Sequence, residues 1–181
     1  MSRPPSARES VLDAFEGLLV TDGERAATMD AAARAAGVSK GGLLYHFASK
    51  DALEAGLVDR LRRLVDSDVA AIEAAPEGAV AYFLRSSVMD DDPLDRAIIS
   101  VSRLAQRGSG AASAALRDMR DRWADVLRPH VRDDAALDLV MLVSDGLYFN
   151  NALGGDAPLT AVPSGPALDA LVALVVDAVA P

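Results

Sequence analysis

The sequence contains no cysteine, which removes disulfides and thiolate metal sites together. Its two histidines, His46 and His130, are too few to hold a first-row metal by themselves. Aromatic residues make up only 4% of the chain, and the alternation of apolar and polar residues that marks half-buried strands is missing. Long apolar runs are absent as well. The longest, Leu168 to Ala180, is interrupted by Asp169 and Asp177, and Met1 to Arg8 is short and polar without the apolar centre of a secretion signal. The chain lacks the GxSxG, HExxH and GxxxxGK patterns and any GxGxxG following a strand. These absences lead us to expect a cytoplasmic protein that is not an enzyme and uses no metal or cofactor.

What is present points to helices. Of 181 residues, 51% are apolar, enough to build a core without staples, and they recur at intervals of three and four. The expectation is an all-α chain of about nine helices. Ser6 can cap a first helix ending near Thr21. Thr28 caps a second that stops at Gly37, Ser39 a third reaching Tyr45, and Ser49 a fourth from Lys50 to Ala74, before Pro76. Later helices are expected near Gly78 to Met89, Pro93 to Arg107, Ser113 to Arg128, Asp134 to Leu153 and Gly165 to Ala180, with a Gly- and Pro-rich joint from Gly154 to Pro166. The net charge of −9 is unevenly spread: residues 1–63 hold nine basic and nine acidic residues, whereas 64–181 hold nine and eighteen. The acid therefore sits away from the first third, where both lysines of the chain, Lys40 and Lys50, are found.

Thr28 to Phe47 reads as helix, tight turn, helix. Ala33 is small enough for two helices to cross, Gly37 suits a positive φ, and Val38 can plug the shared core. The short second helix of such a pair is the natural reader of a major groove. In Ala36-Gly37-Val38-Ser39-Lys40-Gly41, His46-Phe47 and Ser49-Lys50-Asp51-Ala52-Leu53 the chain resembles the TetR family of bacterial transcriptional regulators. The resemblance covers about the first third. It implies a three-helix helix-turn-helix DNA-binding domain at 1–48 and a helical ligand-binding and dimerisation domain at 49–181, linked by the helix 49–74. It also implies roles at DNA: Ser39, Lys40, Gly41 and Gly42 at base edges, Tyr45, His46 and Lys50 on phosphates, and Thr28 as a cap within reach of a phosphate. The family usually places tyrosine directly after the first leucine of this helix; here Leu44 stands there and Tyr45 follows.

The segment Asp90 to Leu153, with Met89 before it, mixes large apolar residues with isolated polar ones. Met89, Ile98, Ser102, Met119, Trp123, Met141, Asp145, Tyr148 and Phe149 are the candidate lining of a small-ligand cavity. Trp123, Tyr148 and Phe149 could stack on a flat hydrophobic effector, and Asp145 could answer a positive charge on it. Leu137 to Leu147 and Leu168 to Val179 are more apolar than half-exposed helices need to be. The family resemblance implies that these two helices form a homodimer interface, for which Val140, Val143, Leu147, Leu168, Leu171, Val172 and Val175 are the candidates. The function implied is a repressor that binds a palindromic operator as a dimer and leaves it on binding an effector. The competing reading is a helical dimeric interaction module whose DNA-binding head has degenerated.

Overall fold

A computed structural model of the chain describes residues 7–88, 90–153 and 162–181. Within them the chain forms helices α1 (Ala7–Thr21), α2 (Met29–Ala35), α3 (Lys40–His46), α4 (Lys50–Ala74), α5 (Ala79–Ser86), α6 (Pro93–Gln106), α7 (Gly110–Leu127), α8 (Asp134–Leu153) and α9 (Pro166–Val179), with a short 3-10 turn at Arg128–His130. No strand occurs among the described residues. The fold is all-α, as expected. Ser6 and Met89 lie outside the described residues, as does most of the Gly154 to Pro166 joint.

The helix ends follow local chemistry. Asp92 and Asp95 form a reciprocal capping box ahead of α6, each side chain accepting from the other's backbone N–H, with Pro93 in the first turn. Ser49 Oγ accepts from the backbone N–H of Ala52 at 3.2 Å and so opens α4.

Two compact units result, Met1–Val65 with Asp91–Asp118, and Asp66–Asp90 with Met119–Pro181. Two of the three boundaries fall inside continuous helices, α4 and α7, and the third lies between Asp90 and Asp91, ahead of α6. In the first unit α1 packs on α2 and α6. The α1 stripe Val11, Leu12, Phe15 and Leu19 is fully buried, as are Leu43 of α3 and Leu53 and Leu57 of α4. Gly56 of α4 allows the closest approach: a Cβ there would stand 2.9 Å from Leu12 Cδ2 and 3.1 Å from Phe47 Cε1.

Beside this apolar contact runs a charged one. Arg60 of α4 is 9% exposed and meets three carboxylates of α1, Glu9 and Asp13 at 2.8 Å and Glu16 at 3.3 Å. Arg96 of α6 approaches Glu16 from the other side at 3.7 Å. Glu16 Oε1 has no hydrogen-bond partner. Burial therefore prevails and pushes the Glu16 carboxyl up, against the opposing pull of Arg60 and Arg96. Glu9 is less deeply placed: burial raises it, but its hydrogen bond and charge attraction to Arg60 carry it below its ordinary value.

The core of the second unit is drawn from α4, α5, α7, α8 and α9, with Ile72, Phe83, Leu84, Leu127, Val140, Val172 and Val175 among its buried members. Trp123 packs against it, its ring edge-on to Phe83 at 5.5 Å and its indole N–H donating to Asp68 Oδ2 at 2.8 Å.

An Arg60→Ala variant should lose about 3 kcal/mol of stability near neutral pH, because Glu16 is left buried without its main counter-charge. Its carboxyl then rises further, so the native state holds that proton more tightly than the unfolded chain. Wild type, meanwhile, loses the contribution of Glu9 as pH falls through its lowered value. Both effects narrow the deficit in acid. Urea unfolding at neutral and mildly acidic pH checks this; a deficit of equal size at both would contradict it.

Candidate nucleic-acid interface

The turn between α2 and α3 is built by three local devices. Thr28 Oγ1 accepts from the Ala31 N–H at 3.1 Å and caps α2. Gly37 adopts φ +67°, and the next N–H, that of Val38, donates back to the Ala33 carbonyl at 3.0 Å. Ser39 Oγ then accepts from the Gly42 N–H at 3.0 Å and starts α3. A Cβ on Gly37 would meet nothing within 4 Å, so the backbone angle, rather than space, is what calls for glycine there.

Helix α3 has only seven residues, and only Leu43 among them is buried. Phe47, just after its end, is 3% exposed. These two side chains hold α3 to the unit, while Gly42 and His46 are half-buried. Tyr45 is 85% exposed with its ring edge-on to His46 at 5.1 Å; Leu44, Lys40 and Gly41 are also exposed. The two glycines differ. Gly41 has open space where a Cβ would be, whereas a Cβ on Gly42 would press to 3.3 Å from Ser39 Oγ, so Gly42 protects the cap. Ala32 is fully buried, and its small side chain suits the close α1–α2 contact.

The eight residues expected at DNA thus gather on Thr28, on α3 with its cap, and at the start of α4. Both lysines carry partners that sequence reasoning missed. Lys40 pairs with Asp30 of α2 at 3.0 Å, and both side chains are largely exposed. Lys50 pairs with Glu24 in the α1–α2 connection, and Arg107, just after α6, pairs with the same carboxylate. A carboxylate that follows Asp22-Gly23 reads as an ordinary turn residue, and nothing in its spacing announces these contacts.

The expected effector residues are divided between the two units. Ile98 and Ser102 are half-buried on α6 in the first unit; Met119, Trp123, Met141, Asp145, Tyr148 and Phe149 belong to the second. The proposed stack of Trp123, Tyr148 and Phe149 is corrected: Trp123 is committed to Phe83 and Asp68, while Phe149 is 61% exposed. Asp145 is corrected too. Its side chain is 45% exposed and paired with Arg120, so its charge is already answered. A cavity of about 500 Å³ in the first unit, lined by Asp51, Glu54, Val58, Leu104, Arg107 and the Gly108 to Ala111 turn, includes none of these residues. Burial raises the Glu54 carboxyl at its wall, against the pull of nearby Lys50.

The expected dimer residues are corrected as well. Val140, Leu147, Val172 and Val175 are 5% exposed or less, and Val143, Leu168 and Leu171 pack against the core of their own unit. The apolar residues left outside are their neighbours: Leu139, Leu142 and Phe149 on α8, with Gly146 on the same face, and Leu174 and Val176 on α9. A helix apolar on two faces does not declare in its sequence which face turns inward.

A capped, outward-facing second helix after a glycine turn, anchored by two apolar residues, defines a helix-turn-helix DNA-binding domain. Residues 11–55 match the family model described as bacterial regulatory proteins, tetR family. Over that segment the chain is similar to this family of helix-turn-helix transcriptional regulators. No curated protein matches it. Among solved structures, a transcriptional regulator from Rhodococcus sp. Rha1 is 20% identical with 96% of each chain covered and a TM-score of 0.67. One from Streptomyces coelicolor A3(2) is 24% identical over 96% of each chain, with a TM-score of 0.64. A third, from Saccharomonospora viridis and solved with choline, is 18% identical over 94% of each chain, also with a TM-score of 0.64. These three likenesses are in fold. No helix among the described residues is long and apolar enough to cross a membrane, and no group of three candidate metal ligands occurs among them.

The two glycine environments predict opposite outcomes for one substitution. Gly37→Ala should cost about 1 kcal/mol in urea unfolding because alanine resists the positive φ. Gly41→Ala should leave stability unchanged or slightly raised, since helix interiors favour alanine by up to about 1 kcal/mol.

Proposed function

We propose that the protein is a repressor that binds a palindromic operator as a C2 dimer and is released by a small hydrophobic effector. The observation that carries this reading is α3 itself. A helix so short, capped by Ser39 and anchored by Leu43 and Phe47, presents Tyr45, Lys40 and Gly41 outward with no core function to explain their exposure. On this reading Lys40 and Gly41 approach base edges, Tyr45, His46 and Lys50 grip phosphates, and Thr28 positions α2 against the backbone. The reading keeps residues 1–48 as the head and 49–181 as the effector and dimerisation part, acting in the cytoplasm on the nucleoid. Two heads roughly 34–36 Å apart would meet successive major grooves.

The dimer is proposed to form through the outward apolar face of α8 and α9, around Leu142 and Leu174, and an effector that prefers a different head separation would withdraw the pair from DNA. The effector is proposed to be small and mostly apolar. With twice as many acidic as basic residues in 64–181 and choline in one neighbour, quaternary ammonium compounds are the first to screen.

The test is fluorescence anisotropy of the purified protein with a duplex of its own upstream intergenic region over a salt series. Wild type should bind tightly and lose affinity steeply with salt, and Lys40→Ala with Tyr45→Ala together should abolish binding. No binding at low salt would leave the interaction-module reading standing. Analytical ultracentrifugation checks the interface: Leu142→Glu should give monomers of native helicity, whereas Val140→Ala should lower stability by about 1–2 kcal/mol and keep the dimer.

A further inference from the structure

The carboxylate of Glu24 is held between two cations that come from different helices, Lys50 at the start of α4 and Arg107 directly after α6. Its side chain is only 11% exposed, while those of Lys50 and Arg107 are 30% and 62% exposed. The triad carries one net positive charge with Arg107 present and none without it. Lys40 offers a contrast, since its partner Asp30 is exposed and no third group among the described residues is paired with them. Arg107 is set in place by the turn that joins α6 to α7, where Gly108 has φ +97°. Helix α7 runs on from that turn past the boundary of the first unit at Asp118.

We propose that Glu24 is an internal competitor of DNA phosphate for Lys50, and that Arg107 sets how strongly it competes. With Arg107 in place the carboxylate is shared, and Lys50 can exchange it for a phosphate. When the α6–α7 turn withdraws Arg107, Glu24 holds Lys50 alone and the head loses a phosphate contact together with its net charge at that point. The proposal rests on the DNA-binding reading. It adds that a change carried by α7 reaches the interface through one ion triad, without any movement of α3.

The test uses Glu24→Gln, Arg107→Ala and the double variant, each checked for native helicity by circular dichroism. In anisotropy with the upstream duplex, Arg107→Ala should weaken binding roughly five-fold and Glu24→Gln should tighten it by a similar factor. In the Glu24→Gln background, Arg107→Ala should have little further effect. A loss of equal size in both backgrounds would mean that Arg107 acts as a free cation toward DNA, which overturns the proposal. Lysine acetylation without DNA, read by mass spectrometry, is the second arm, aided by the chain having only two lysines. Lys50 should react faster in Glu24→Gln and more slowly in Arg107→Ala, while Lys40 stays constant. Unchanged Lys50 reactivity in both would overturn the triad. If wild type fails to bind the duplex at about 50 mM salt, the DNA reading falls and takes the competition with it, while the labelling still reports separately on the triad.

Discussion

The burial of Leu43 against the first unit is the contact on which the DNA-facing end depends. A seven-residue helix has no stability of its own in water, because the cost of nucleating it exceeds what so few hydrogen bonds return. Helix α3 exists because Leu43 and Phe47 are buried and because Ser39 and Gly37 fix its start. That arrangement leaves Lys40, Gly41, Leu44 and Tyr45 exposed. Exposure of Tyr45 is thus a consequence of how little of α3 the core needs.

Charge completes the picture. The first third of the chain is electrically neutral overall, so a DNA-facing surface there depends on where individual cations are placed rather than on excess positive charge. Arg60 is spent inside, on the carboxylates of α1. The two lysines remain at the outer end, each against a carboxylate. On the proposed reading, binding is an exchange of carboxylate for phosphate at these lysines rather than simple neutralisation of bare charge.

Much of the fold was legible in the sequence because its signals are local. Caps at Thr28, Ser39 and Ser49, the positive-φ glycine and the stop before Pro76 are each read over a few residues, and α4 and α8 fall where the apolar spacing placed them. The head was legible for the same reason. What escaped depends on distant partners. Glu24 meets Arg107 across more than eighty residues of chain, and Asp145 meets Arg120 from another helix. The inward and outward faces of α8 and α9 differ only in which apolar residue points where, so valines that looked like an interface turned out to be core. Met89 lies outside the described residues and leaves that part of the effector lining as a sequence expectation.

The account stands on α3 lying against DNA with Tyr45 outermost. Hydroxyl-radical footprinting of the protein, free and bound to its upstream duplex, tests this at single residues. Tyr45, 85% exposed, should be among the most strongly oxidised residues of the free protein and should be shielded in the complex. Oxidation of Tyr45 that stays the same in the complex would contradict the account.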